Sequence, residues 1–286
     1  LRHFRAGLAG LAVVGLVAVA ALAAPWLAPH DPYAQNVAER LKPPVWLLGG
    51  EWAHPLGTDP LGRDLLSRIV YGSRISVSAG ALAVALSGSI GVFLGLVAGY
   101  FGGRTDTAIS NLVEVMMAFP FLLLALAAIA ILGPGFGNIV LVLGVTGWPI
   151  YTRVVRAETL NLREREFVVS ARALGPAPVR VIWRHILPNL GSTIIVMASL
   201  EVARMIILES FLSFLGLGIP PEVPSWGAML GEGRVYVLTR WWLATFPGLA
   251  IFATTLGINL LGDGLRDFLD PYRSGASRSA GDAGRA

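Results

Sequence analysis

Residues 115–152 read VMMAFPFLLLALAAIAILGPGFGNIVLVLGVTGWPIYT, 38 consecutive positions with no Asp, Glu, Lys or Arg. About 20 apolar residues cross a hydrocarbon core about 30 Å thick, so the run is too long for one crossing. Its middle, Gly133-Pro134-Gly135-Phe136-Gly137-Asn138, is a turn sequence that no helix would run through. The run is expected to fold as two spans joined by a short hairpin. Outward from it lie three more charge-free runs, residues 6–28, 75–103 and 241–262, of 23, 29 and 22 positions. A further apolar stretch at 190–217 carries Glu201, Arg204 and Glu209 but is otherwise long enough to cross. The expected fold class is therefore an all-α polytopic membrane protein with six transmembrane helices, near 7–28, 76–100, 112–132, 138–155, 191–216 and 242–262.

Composition agrees. Of 286 residues 55% are hydrophobic and 14% charged, against about 25% charged in soluble domains, which excludes a soluble enzyme. There are no cysteines, which excludes disulfides, thiolate metal sites and cysteine nucleophiles. His3, His30, His54 and His185 show no HExxH or paired spacing, so no metal site is expected in the chain. Lys42 is the only lysine and lies in Arg40-Leu41-Lys42-Pro43-Pro44. A P-loop needs a glycine-rich turn closed by Lys-Ser or Lys-Thr, so any ATP-driven activity needs a separate ATPase chain.

Arg2, His3 and Arg5 precede the first apolar run in the manner of a signal peptide. The run exceeds an ordinary signal core, and no small-x-small site follows before Pro25 and Trp26, so an uncleaved first span is expected. Orientation follows from the basic residues. With the N-terminus in the cytoplasm, fourteen arginines fall on that side and seven basic residues on the other. The positive-inside rule favours this arrangement, with both termini cytoplasmic, residues 29–74 outside and 156–189 inside. The expected organisation is an N-terminal span and extracytoplasmic segment (1–72), a transmembrane domain (73–266) and a cytoplasmic tail (267–286), disordered from 274.

The inside segment alternates apolar and charged residues. Between Ala157 and Ala173 the positions Leu160, Leu162, Phe167, Val168 and Ala171 give a helix one apolar face. Gly175-Pro176-Ala177-Pro178 forces a turn, and a second short helix is expected from Val179 to Leu187, stopped by Pro188. Such a pair is either a passive interfacial element or a docking surface for a soluble partner.

Two motifs in this segment, EFVVSARALG at 166–175 and RHILPN at 184–189, resemble the EAA loop of ABC importer permeases. The resemblance assigns Glu166, Ser170, Ala171, Gly175, Leu187 and Pro188 to an ATPase-coupling loop, whose helix sits in a cleft of the ATPase subunit. Val169 stands where that family has its first Glu, Ser170 replaces an Ala, and His185 an Ile. DPYAQN at 31–36, HPLGTDPLGRDLLSR at 54–68, ESFLSFLGLG at 209–218, PSWG at 224–227 and GDGLRDFLDP at 262–271 are similar to the C-type permease subunit of dipeptide/oligopeptide/nickel importers. The resemblance implies a type I ABC importer permease fold with a cytoplasmic coupling helix. It implies translocation of short peptides across the inner membrane by alternating access, without catalysis in this chain. The implied partners are a second homologous permease, two ATP-binding subunits that carry ATP and Mg²⁺, and an extracytoplasmic substrate-binding protein, with no nucleic acid. A lone secondary transporter or channel is the alternative; it would have no reason for a paired amphipathic docking loop.

Ionisable groups inside a span are costly and usually face a bundle interior or wet cavity. Glu201 and Arg204, at i and i+3, neutralise each other on one face, as a structural pair or as part of the pathway. Glu209 has no basic partner at helical spacing and must find water, another helix or the second permease. Gly91, Gly95 and Gly99, with Ser87 a turn earlier, share one face of the second span and are expected to admit a closely packed helix. Gly262-Asp263-Gly264 is expected to end the sixth helix, and Asn111 and Glu114 are read as interfacial.

Overall fold

A computed structural model describes residues 2–269, in which all regular structure is helical apart from an isolated bridge between Thr58 and Asp64. The helices are α1 (Arg2–Leu22), α2 (Ala24–Leu27), α3 (Leu65–Phe101), α4 (Gly103–Ala118), α5 (Phe121–Leu132) and α6 (Phe136–Arg163). They continue with α7 (Glu166–Ala173), α8 (Pro178–Val181), α9 (Leu187–Phe214), α10 (Trp226–Gly233) and α11 (Trp242–Leu269). The tail from 274 lies outside the described residues.

Three helices, α3, α6 and α11, are each long and apolar enough to cross a membrane, and the bent pair α4–α5 makes a fourth. The apolar part of α1, Ala6–Leu22, is shorter, and α9 is not among the qualifying helices. The six expected crossings thus stand at up to four by length and composition.

The hairpin after α5 forms where the sequence places it. Gly133 and Gly135 take positive φ, and Asn138 Nδ2 donates to the carbonyls of Leu132 and Gly133 at 3.0 and 3.1 Å, satisfying the end of α5.

Several expected boundaries are corrected. The third expected span, 112–132, is not one helix: α4 and α5 meet at an 83° bend. Phe119 is extended (φ −92°, ψ 135°) ahead of Pro120, the conformation that a following proline imposes. The first span similarly ends at Leu22, and Pro25 starts the separate turn of α2. The helix expected over 157–173 is two, because α6 runs to Arg163 and α7 starts afresh at Glu166. Pro188 stops nothing. A π-helical turn at Ile182–Ile186 joins α8 to α9, and a widened turn just before a proline relieves the carbonyl its ring would strike. Gly262-Asp263-Gly264 does not end α11, which continues to Leu269. Those glycines instead serve close packing. A Cβ on Gly264 would lie 2.8 Å from Gly7 Cα of α1, and one on Gly262 2.8 Å from Ser199 Oγ of α9.

The most extensive helix pairing is α3 on α6, and the glycine stripe lets the two approach. A Cβ added at Gly91 would lie 2.6 Å from the Trp148 carbonyl oxygen, one at Gly95 2.8 Å from Val155 Cβ, and one at Gly99 2.6 Å from Thr159 Cβ. Thr152 Oγ1 donates to the Gly91 carbonyl at 3.2 Å across the same seam. Gly95→Leu is expected to force the helices apart and lower stability by about 1–3 kcal/mol or more. A fall in the melting temperature of the detergent-purified variant, absent in Gly15→Leu where nothing lies within 4 Å, checks it.

Candidate functional site

The sequence motif at 166–189 folds into an elbow at the C-terminal end of α3. Glu166 opens the first turn of α7, where a carboxylate complements the helix dipole. Val168 and Ala171 turn inward and are buried, whereas Ser170 is exposed. Leu174 caps α7, and Gly175 turns the chain at φ +79° with nothing within 4 Å of where a Cβ would be. Of the residues past the turn, Leu187 is half-buried and Pro188 exposed.

Two faces result. The inner one is a core of Val168, Val181, Ile182, Ile186 and Leu190 with Leu96 of α3 and Val155 of α6. Arg172 lies over the Tyr100 ring at 5.8 Å, and Arg163 Nη1 donates to the Gly99 carbonyl at 2.9 Å. Asp106 of α4 is held by Arg156 of α6 through two hydrogen bonds. The outer face shows Leu174 at 87%, Trp183 at 67% and Val179 at 62% exposure. This exposed apolar lip is fixed, through the inner core, to three long helices.

The charged side chains of α9 are brought together as their spacing predicts. Arg204 Nε and Nη2 donate to Glu201 Oε2 at 2.8 and 2.7 Å, and the guanidinium lies 4.9 Å from the Phe121 ring centroid of α5. Glu201 is buried and Arg204 half-buried. Glu201→Gln is expected to cost about 1–3 kcal/mol by leaving the guanidinium without its charged partner, and Glu201→Gln with Arg204→Gln to recover most of that. Should the chain prove to act in transport, as the sequence leads one to expect, a stable, assembled double variant that fails to transport assigns the pair to the pathway or its gate. Glu209 is fully buried and finds hydroxyls: Ser213 Oγ donates at 2.8 Å and Ser210 Oγ at 3.3 Å, with Ser76 of α3 a third partner. These hydroxyls take the place of the basic partner that its helix lacks.

At the other end of α3 stands an assembly whose motifs the sequence offers but whose contacts it does not. The 37 residues of α3 separate it from the elbow by about 55 Å at 1.5 Å per residue. Asp64 caps α3, its Oδ2 accepting from Ser67 N and Oγ at 2.8 and 2.7 Å. Asp59 accepts from both Arg63 and Arg68, and both arginines reach Glu232 of α10, at 3.2 and 2.7 Å. Arg63 and Arg68 are 4% and 1% exposed. Trp226 Nε1 donates to the Ile69 carbonyl at 2.9 Å, tying α10 to the first turns of α3. Nearer the solvent, Lys42 Nζ bonds Glu39 and Glu51, both at 2.9 Å. The Lys42 ammonium, and then His54, hold the Glu39 carboxyl below its ordinary range.

The fold also draws together two of the four histidines: the His30 and His54 rings lie 4.7 Å apart, beside Asp64. The only advance sign of this was the density of ionisable residues in 54–68.

The comparisons with known proteins cover nearly the whole chain. Residues 91–274 match the model for the binding-protein-dependent transport system inner membrane component, and residues 1–44 that for the N-terminal TM domain of oligopeptide transport permease C. The di/tripeptide transport system permease protein DppC of Pseudomonas aeruginosa is 42% identical over 96% of this chain and 91% of its own. The dipeptide transport system permease protein DppC of Haemophilus influenzae is 43% identical over 93% and 90%. The glutathione transport system permease protein GsiD of Pectobacterium atrosepticum is 44% identical over 95% and 88%.

Proposed function

The chain belongs to the family of binding-protein-dependent transport system inner membrane components, and from that premise we propose that it is the permease subunit of an ATP-driven importer of short peptides. The peptide class is carried over from relatives named for dipeptide and di/tripeptide transport. The observation that carries the mechanism is the elbow. It exposes Leu174, Val179 and Trp183 while its inner face shares one core with α3, α6 and α9. In this reading the apolar lip seats in an ATPase subunit. Closure of two ATPases on ATP displaces the elbow, and the core passes the displacement to the long helices, which rock between inward-open and outward-open arrangements.

The proposed partners are a second homologous permease, two ATP-binding subunits holding ATP and Mg²⁺, and an extracytoplasmic substrate-binding protein. The proposed topology has six crossings with both termini in the cytoplasm, the elbow inside and residues 29–74 outside. The charge count supports that orientation, and so does the placing of elbow and charged assembly at opposite ends of α3. Residues 1–72, 73–266 and 267–286 remain the proposed division of the chain. Purification of the native complex from the membrane, identification of its subunits and a peptide uptake assay in vesicles test the proposal. ATP-dependent uptake with the four partner polypeptides present is the expected result; transport by the chain alone, without an ATPase, overturns it.

A further inference from the structure

We propose that His30, His54 and Asp64 form a binding site for a divalent transition metal of the zinc type. The three offer ligand atoms that all lie within 4.8 Å of one another. His54 Nδ1 is 2.9 Å from Asp64 Oδ1, and His30 Nδ1 is 3.9 Å from the same oxygen. In a tetrahedral site with metal–ligand bonds of about 2.0–2.1 Å, donors stand about 3.3–3.4 Å apart. The His54–Asp64 edge is therefore slightly short, the His30–Asp64 edge over-long by about half an ångström, and the edge between the two histidines reaches at most 4.8 Å. The member that has to move is the one free to do so: His30 is exposed, whereas His54 and Asp64 are buried at 6% and 2% exposure.

The surroundings are those of a metal site. Asp64 Oδ2 is engaged by Ser67 N and Oγ, which leaves Oδ1 directed at the two rings. The hydroxyl of Ser67 also accepts from the His30 backbone N–H at 3.0 Å, holding that residue beside the cluster. His54 Nε2 faces Glu39 Oε2 at 3.4 Å. A ligating histidine with its second ring nitrogen on a carboxylate is the arrangement that fixes tautomer and raises basicity at metal centres. Lys42 in turn holds Glu39 in place. Two imidazoles and one carboxylate are a borderline donor set that suits zinc and its neighbours rather than calcium or magnesium. The exposed side of His30 provides an entry path.

Without metal the His30 ring has its contact with the His54 ring but no bond to Asp64, from which its nitrogen stands 3.9 Å away. A metal there would cross-link three segments that no disulfide can tie in a chain without cysteine: the stretch after α2 through His30, the 36–58 loop through His54, and the start of α3 through Asp64.

The test uses the full chain purified through a tag without histidine, stripped with a chelator and titrated with Zn²⁺ and then Co²⁺. The expected result is one Zn²⁺ per chain, the intense visible absorption of four-coordinate Co²⁺, and a Zn²⁺-dependent rise in melting temperature. His30→Ala, at an exposed position that leaves folding intact, is expected to weaken binding at least tenfold and abolish the thermal shift. Glu39→Gln is expected to weaken it about 10–100-fold, the range for loss of an outer-shell partner. His185→Ala should bind as the unaltered chain does. Absence of stoichiometric Zn²⁺, or binding indifferent to His30→Ala, or binding abolished by His185→Ala, overturns the proposal.

Discussion

Arg68→Ala is expected to destabilise the chain by about 3–5 kcal/mol, the cost of removing one partner of a buried ion pair. The guanidinium is 1% exposed and reaches both Asp59 and Glu232. Asp59 and Glu232 balance Arg63 and Arg68, so the single change leaves two carboxylates sharing one guanidinium. Charge balance predicts the partial remedy: adding Glu232→Gln restores a one-to-one pair and should recover about half of the loss. Arg40→Ala, at an exposed position, should stay within about 0.5 kcal/mol. Thermal melting of the three variants in detergent reads the difference. A loss below about 1 kcal/mol for Arg68→Ala, or a double variant weaker than the single, would mean that the cluster is solvated and not a structural tie.

What the sequence made legible were the interactions set by local period. The glycines at 91, 95 and 99 share a helix face because they recur every four residues, and α6 packs on that face. Glu201 meets Arg204 because i and i+3 are neighbours on any helix. Breaker residues misled where packing outweighed propensity. Pro188 is absorbed by a π turn, and Gly262 and Gly264 stay helical because other helices lie against them. Pro120 had the reverse effect, bending a span that hydropathy drew as continuous. The charged assembly was out of reach altogether. Arg63 and Arg68 find Glu232 more than 160 positions away in sequence, and no periodicity signals a partner at that separation. The same holds for His30 and Asp64, brought together only once residues 28–64 fold back on α3.

Gly175→Val is expected to lower substrate-stimulated ATP hydrolysis of the assembled importer about tenfold while leaving membrane insertion and assembly intact. The position has φ +79° and no atom of this chain within 4 Å of a Cβ, so the effect cannot arise from a clash within the chain. It arises from the backbone, because a β-branched residue at positive φ carries about 1–3 kcal/mol of strain. The buried side chains on either side, Val168 at 0% and Val181 at 1% exposure, hold α7 and α8 to the bundle. Strain at the turn is then relieved by shifting the exposed lip, where Leu174 and Val179 flank the glycine. A shift there worth about 1.4 kcal/mol in the docked state is a tenfold loss in docking. Gly175→Asn separates conformation from bulk, since Asn tolerates the left-handed region, and it should retain most of the stimulation. If Asn fails as badly as Val, the glycine matters for the surface it leaves open rather than for its backbone. If both variants hydrolyse ATP as the unaltered complex does, the elbow has no part in coupling, and the ATPase must engage the permease elsewhere.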